Sequence, residues 1–148
     1  MNIHNYLDEW VDKFKILKWA KSDRENLFRI ILEIYNADGT YSEEEKSDFK
    51  RRSRGLGIDE EDIKHIDLQK AIAALKPDAL KMELVHFWLA SALFADEDFD
   101  KVEQSFIDGI ITKYGLNEQR LREIIKTIQD KKIDHAIRHW YSEIEDLF

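Results

Sequence analysis

The sequence predicts an all-α protein, a compact bundle of about seven to eight helices. The chain of 148 residues contains one proline and five glycines, so few positions interrupt helices. Apolar residues recur three and four positions apart along most of the chain, which is the spacing of one helix face. An acidic motif between two such apolar segments occurs twice, 58 positions apart. This duplication indicates two pseudo-symmetric helical repeats.

Four helices are predicted in the first half of the chain. Ser22-x-x-Glu25 indicates a capping box at the start of the second helix, which ends at Asp38-Gly39. Ser42-x-x-Glu45 opens the third helix, Gly57 follows its end, and Asp59 can cap the fourth. The first helix carries one apolar stripe, formed by Ile3, Leu7, Trp10, Val11, Phe14 and Leu17.

The second half follows the same plan. Pro77-Asp78 begins the fifth helix, and Asp100-x-x-Glu103 opens the sixth. Gly115 ends that helix at the offset of Gly57, and Asn117 caps the next one. A last amphipathic helix carries Ile133, Ile137, Trp140, Ile144 and Leu147.

The domain organisation follows from the length and the repeat. A chain of this size can bury about two-thirds of its unfolded surface, so residues 1–148 are predicted to form a single domain. The internal repeats span residues 21–75 and 79–130, and the terminal helices lie in 1–20 and 131–148. Two copies are too few for an open solenoid, so we expect the halves to pack face to face.

Composition excludes several classes of protein. The formal net charge is −8, with acid in excess in both halves, which disfavours nucleic-acid binding. The absence of cysteine excludes disulfides, thiolate zinc sites and cysteine nucleophiles. The start of the chain does not resemble a signal peptide, and no apolar run approaches the roughly 20 residues of a membrane span. A cytoplasmic protein without membrane insertion is therefore expected.

The candidate chemistry lies in the two acidic segments. Ala37-Asp38-Gly39 leads to Glu45, and Ala95-Asp96-Glu97 leads to Glu103. With the downstream Leu56-Gly57 and Tyr114-Gly115, this pattern resembles the TerB-like family, the helical domain of bacterial tellurite-resistance systems. The resemblance covers roughly residues 21–130. It departs from the family pattern at Glu97, which stands in place of the glycine.

The resemblance implies an all-helical domain of two related halves, with a role in divalent-metal binding or stress response. On this match the metal ligands are Asp38, Glu45, Asp96 and Glu103. Carboxylates that converge without basic partners repel one another, and a hard divalent cation relieves that repulsion. The competing interpretation is that all four residues are ordinary turn and cap residues. Glutamate at the third helical position closes a capping box, and aspartate stabilises turns.

Other patterns argue against alternative sites. Asp96-x-Asp98-x-Asp100 opens like an EF-hand, but Lys101 and Ile107 occupy its sixth and twelfth positions. His135 and His139 have zinc-ligand spacing, yet Ala136 replaces the glutamate of a zinc protease, so a solvated pair is expected. His86 is expected to be a core or edge histidine with a backbone partner.

One basic cluster and four tryptophans complete the candidates. Lys50-Arg51-Arg52-Ser53-Arg54 ends a helix that begins with three glutamates, so it complements the helix dipole, and a phosphate-binding patch is the alternative. Trp10, Trp88 and Trp140 fall on apolar stripes, whereas Trp19 beside Lys18 and Lys21 is the candidate for exposure.

No catalytic constellation is found, so a non-enzymatic protein is predicted. The resemblance implies a TerB-like protein associated with stress and tellurite resistance, with a divalent cation as its ligand. The alternative is a ligand-free helical module that binds a protein partner and uses its acids as helix caps. A hydrolase with two carboxylates as acid and base forms a third class, for which no residue pattern indicates a substrate pocket.

Overall fold

The structure, a computed structural model, describes residues 6–37, 42–94 and 104–148. These residues form nine α-helices and no β-strand, which confirms the all-α prediction for this part of the chain. None of the helices in these ranges is both long and apolar enough to cross a membrane. The helices are α1 (Leu7–Lys13), α2 (Lys21–Ala37), α3 (Glu43–Gly55), α4 (Glu60–Ile63), α5 (Leu68–Leu75), α6 (Ala79–Phe94), α7 (Gln104–Tyr114), α8 (Glu118–Asp130) and α9 (Ile133–Glu143).

The chain divides into two compact units at Pro77. The N-terminal unit is Asp8–Pro77, in which α2 packs against α4 and α5. Its core includes the rings of Phe28 and Phe49, whose centroids are 5.6 Å apart. Burial of such large apolar side chains is the main stabilising contribution to each unit.

The C-terminal unit comprises Asp78–Phe148 together with Tyr6 and Leu7. Within it α6 packs against α8, and α9 also contacts α8. The rings of Phe87 and Trp140 stack with their centroids 4.2 Å apart. The organisation as one domain with repeats at 21–75 and 79–130 stays a prediction.

The number of helices is higher than predicted because the expected fourth helix is two helices. The chain leaves helical geometry after α4, and Asp67 begins α5 by accepting a hydrogen bond from the Lys70 N–H at 3.0 Å. At this break Arg29 Nε donates to the Ile66 carbonyl over 2.8 Å. The arginine therefore satisfies a carbonyl that a continuous helix would have paired internally.

The predicted stripe of the first helix is wrong at its last residue. α1 ends at Lys13, and Lys15 then adopts a left-handed backbone conformation with φ 54°. This turn buries Ile16, which is 1% exposed, and leaves Leu17 58% exposed. The helical periodicity therefore stops before Leu17, because the chain has already turned.

The predicted helix ends at the two glycines are confirmed. Gly57 and Gly115 have φ 72° and 61°, values that favour glycine over residues with a Cβ. The N–H of Ile58 bonds the Ser53 carbonyl at 2.8 Å, and that of Leu116 bonds the Ile111 carbonyl at 3.0 Å. Both helices thus end with the same Schellman-type bond five residues back, and the apolar residue after each glycine is buried.

Three of the predicted helix starts are also confirmed. Asp59 accepts from the Glu61 N–H, Asn117 from the Arg120 N–H and Asp78 from the Lys81 N–H, at 2.9, 2.9 and 3.0 Å. The capping box predicted at Ser22 is wrong, because the Ala20 carbonyl accepts the first helical bonds of α2. Ser22 therefore lies inside the first turn of that helix.

Candidate functional site

Only one of the four predicted metal ligands lies in the part of the chain that the structure describes. Glu45 is in the first turn of α3. Asp38, Asp96 and Glu103 lie outside the described residues. Their convergence with Glu45 on one cation stays a prediction.

Glu45 forms a complete capping box with Ser42. The Ser42 hydroxyl oxygen accepts a hydrogen bond from the Glu45 N–H at 3.1 Å. In return, Glu45 Oε1 accepts from the Ser42 N–H at 3.4 Å and from the Ser42 hydroxyl at 3.1 Å. The capping role proposed for this glutamate is therefore confirmed. The box satisfies one N–H at the start of α3 and another just before it.

Within residues 6–37, 42–94 and 104–148, no three histidine, aspartate or glutamate side chains are grouped so that they could hold a metal ion. The predicted pair His135 and His139 is exposed on α9, as expected. His139 Nε2 lies 3.6 Å from a carboxylate oxygen of Glu143, one turn further along the helix. This face of α9 is therefore a solvated charged surface.

The basic cluster at the end of α3 behaves as a helix terminus. Acidic residues occupy the first turn of α3 and basic residues the last, which confirms the interpretation from the helix dipole. Arg52 is nine-tenths buried and lies 3.4 Å from a carboxylate oxygen of Asp8 and 3.8 Å from one of Asp48. Arg51 also lies 3.5 Å from Asp48. Carboxylates of the same unit thus neutralise two of the four cations in the cluster, Arg51 and Arg52.

A surface concavity of about 510 Å³ lies between the end of α3 and the start of α4. Its lining includes the basic residues Lys50 and Arg54 and the acidic residues Asp59, Glu60 and Glu61. The acidic side chains cancel the field that the two cations would otherwise direct at an anion. The concavity therefore does not favour the phosphate-binding interpretation of the basic cluster.

His86 joins two helices of the C-terminal unit. Its side chain is 5% exposed, and its Nδ1 lies 2.7 Å from the Met82 carbonyl. Its Nε2 receives the Asn117 N–H at 3.0 Å. A carbonyl can only accept and an amide N–H can only donate, so Nδ1 carries the proton and Nε2 does not. The expectation of a core histidine with a backbone partner is confirmed.

The environment of His86 favours the neutral ring. Burial lowers its pKa below the usual value, and the charge of Arg120 lowers it further, although the bond to Met82 opposes both effects. A second proton would have to go on Nε2 and would remove the acceptor of the Asn117 N–H. This histidine therefore holds the start of α8 against α6 in its uncharged form.

A half-buried charge cluster centres on Arg120, next to the same helix start. Its Nε donates to both carboxylate oxygens of Glu83, at 2.7 and 2.9 Å. Its Nη1 also approaches Glu123 at 3.4 Å and Glu143 at 3.3 Å. One guanidinium thus ties α8 to both α6 and the end of α9.

The pKa values of this cluster reflect burial and crowding of charge. Burial raises the pKa of Glu83, and this effect exceeds the lowering by Arg120. The pKa of Arg120 is raised because Glu83 and Glu143 together outweigh its own burial. The guanidinium therefore stays charged, and the cluster is a structural ion pair because each charged group has a counter-ion. This pair could not be predicted from the sequence, because nothing in either local segment connects Glu83 with a residue 37 positions away.

The tryptophans separate as predicted into core and partly exposed residues. Trp10, Trp88 and Trp140 are at most 1% exposed, which confirms their core positions. Trp19 is half-buried, and its indole N–H donates to the Phe14 carbonyl at 3.0 Å. The N–H edge of this ring is therefore held by the backbone at Phe14, and part of the side chain reaches solvent.

No protein-family model matches the chain, and no curated protein or solved structure matches it.

Proposed function

We propose that this chain is a non-enzymatic TerB-like helical domain that binds a divalent cation through its two acidic segments. The ligands in this proposal are Asp38, Glu45, Asp96 and Glu103. The proposal extends to a role in stress or tellurite resistance, which follows from the resemblance to the TerB-like family.

The observation that carries the proposal is the recurrence of helix ends at one offset. Gly57 and Gly115 have the same left-handed conformation, and the Schellman-type bonds that span them join equivalent positions. The residue that caps the next helix lies two positions after the glycine in each unit, at Asp59 and Asn117. α2 and α6 also begin 58 positions apart, at Lys21 and Ala79. These coincidences support a duplicated helical repeat with equivalent acidic segments.

The charge of those segments supports a cation as the ligand. Glu43 and Glu44 are exposed beside Glu45, so the start of α3 concentrates negative charge. Part of this charge is stabilised by the positive end of the helix dipole. Hard divalent cations prefer several carboxylate oxygens, which a second acidic segment would supply.

The experiment compares charge removal with cap removal in the full chain. Thermal unfolding is measured with calcium, magnesium, manganese or zinc for the wild type, for the double variant Glu45→Gln and Glu103→Gln, and for Ser42→Ala. An excess of about 100 dissociation constants stabilises a binding protein by about 2.7 kcal/mol. For a chain of this size that equals a shift of about 5–10 °C.

The two variants separate the two roles of the carboxylates. Glutamine can close the capping box without charge, so the double variant should keep its stability but lose the shift. Ser42→Ala should lose about 1 kcal/mol and keep the shift. A wild type that responds to none of the four cations would refute cation binding.

A ligand-free helical module that binds a protein partner is the second candidate. It is favoured by the complete capping box, in which Glu45 Oε1 already accepts two bonds from Ser42. On this hypothesis the acids serve only as caps. The double glutamine variant and the wild type would then unfold at the same temperature with or without cations.

A further inference from the structure

A short basic turn in the N-terminal unit is the most distinct surface feature outside the acidic segments. Residues 13–21, which we name the lysine turn, contain Lys13, Lys15, Lys18 and Lys21 and no acidic residue. The unit that contains it has 14 basic and 16 acidic residues between positions 8 and 77. The lysine turn is therefore a local cationic patch on a chain whose net charge is −8.

The backbone of the lysine turn is held by local bonds and two buried anchors. Phe14 and Ile16 are 2% and 1% exposed, so their side chains fix the turn to the core. The Lys18 N–H bonds the Lys15 carbonyl at 2.9 Å, and the Trp19 N–H bonds the Ile16 carbonyl at 3.0 Å. The turn therefore presents its outward side chains from a defined backbone.

The outward side chains combine positive charge with apolar surface. Lys15, Lys18 and Lys21 are exposed and make no ion pair with any residue in the described ranges. Leu17 lies between Lys15 and Lys18 with 58% of its surface exposed, and the half-buried Trp19 follows. Cations without ion-pair partners can bind anionic headgroups, and an exposed apolar side chain among them can enter the apolar layer beneath.

We propose that the lysine turn docks the protein on the surface of an anionic phospholipid membrane. The lysines contact lipid phosphates, Leu17 enters the headgroup region, and Trp19 lies at the boundary between water and lipid. This is peripheral binding at an interface and requires no spanning helix. It does not depend on the cation proposal, because it uses none of the acidic segments.

Charge and area both favour a membrane over an acidic protein as the partner. Each lysine near an anionic bilayer strengthens binding by roughly fivefold, and the contributions accumulate over a cluster. The apolar surface that Leu17 and part of the Trp19 indole expose is far smaller than the roughly 800 Å² that each partner buries in a standard protein interface. Asp12 and Asp23 flank the lysine turn, but its four lysines outnumber them. Acidic residues farther away repel the membrane weakly, because salt screens charges beyond about 8–10 Å.

The experiment measures co-sedimentation of the full chain with phospholipid vesicles. One vesicle preparation contains phosphatidylcholine with about one-third phosphatidylglycerol, and the other contains phosphatidylcholine alone. We expect binding to the anionic vesicles only, and binding should weaken when salt rises from about 0.1 M to 1 M. Lys18→Glu should weaken binding by roughly 30-fold, since it reverses one charge.

The apolar contact is tested separately from charge. Leu17→Ala should weaken binding by about three- to fivefold, because it removes apolar surface that enters the headgroup region. Leu147→Ala and Lys132→Glu are the matched controls, since Leu147 is 42% exposed and Lys132 is exposed, and both belong to the C-terminal unit. Both controls should bind like the wild type.

Trp19 provides an independent optical readout. The other three tryptophans are at most 1% exposed, so brominated lipids should quench the emission of Trp19 alone. A Trp19→Phe variant should lose this quenching.

Three outcomes would overturn the proposal. The first is equal binding to both kinds of vesicle. The second is equal weakening of binding by Lys18→Glu and by Lys132→Glu. The third is binding to anionic vesicles that Leu17→Ala leaves unchanged and that soluble polyglutamate inhibits by competition. The last outcome would assign the lysine turn to an acidic macromolecule.

Discussion

Substitution of His86 by phenylalanine tests the link between α6 and α8. Phenylalanine keeps a planar ring of similar size but offers no acceptor to the Asn117 N–H, which His86 Nε2 receives at 3.0 Å. A buried N–H without an acceptor costs about 1–3 kcal/mol. The ring position is 5% exposed, so water cannot readily replace the lost acceptor. We therefore expect a loss of about 1–3 kcal/mol in the free energy of unfolding near neutral pH.

The same substitution should change the pH dependence of stability. The pKa of His86 is lowered in the folded protein, mainly by burial. The unfolded chain therefore takes up this proton at higher pH than the folded protein does. The pKa of a histidine in an unfolded chain is about 6.5. The contribution of His86 to the free energy of unfolding is fully present above this pH and is lost as the pH falls through the pKa of His86 in the folded protein. The difference in stability between the wild type and His86→Phe should shrink over that interval.

Urea unfolding at a series of pH values between about 7.5 and 5 measures this difference directly. His135→Phe is the matched control, because His135 is exposed on α9 and its replacement should change stability by at most about 0.5 kcal/mol. Nitrogen-15 spectra of the imidazole should show a proton on Nδ1 and none on Nε2. A difference that stays constant over the pH series, or a ring protonated on Nε2, would refute the proposed hydrogen-bond arrangement.

Four further substitutions, in two matched pairs, are tested by urea unfolding. Glu83→Gln should cost about 1–3 kcal/mol, because it leaves Arg120, which is 19% exposed at its side chain, without its closest counter-ion. The exposed pair of Glu61 and Lys64 gives the control, and Glu61→Gln should change stability by less than about 0.5 kcal/mol. Gly57→Ala should destabilise by about 1 kcal/mol, since φ is 72° there. Gly109→Ala should stabilise by about 0.5–1 kcal/mol, since that helical site is open to a Cβ; equal effects at the two glycines would contradict the assignment of strain.

Helix ends and the inward faces of helices could be predicted from the sequence. The caps at Asp59 and Asn117 and the glycines at 57 and 115 act through bonds between residues at most five positions apart. Such bonds depend on backbone angles and side-chain type, both of which are local properties. The buried positions of Trp10, Trp88 and Trp140 likewise followed from the helical spacing of apolar residues.

Where the prediction failed, a tertiary contact or a turn had overridden the periodicity. Leu17 continued the apolar spacing of α1, but the left-handed Lys15 turns the chain and leaves Leu17 exposed. The apolar spacing also continues across the break between α4 and α5. There Arg29 satisfies the Ile66 carbonyl from 37 positions away, and a local pattern does not contain that contact.

The contacts of the candidate site also separate into those that could be predicted from the sequence and those that could not. The capping box of Ser42 and Glu45 was evident in four residues, because both partners lie in one helical turn. The partners of His86 and Arg120 were not evident, because Asn117 and Glu83 lie 31 and 37 positions away from them. The sequence alone thus determined the helix starts at Asp59 and Asn117, the glycine-terminated ends at Gly57 and Gly115, and which faces are apolar. Only the tertiary structure decided which polar groups meet, because the register of one helix against another depends on the packing of the whole core.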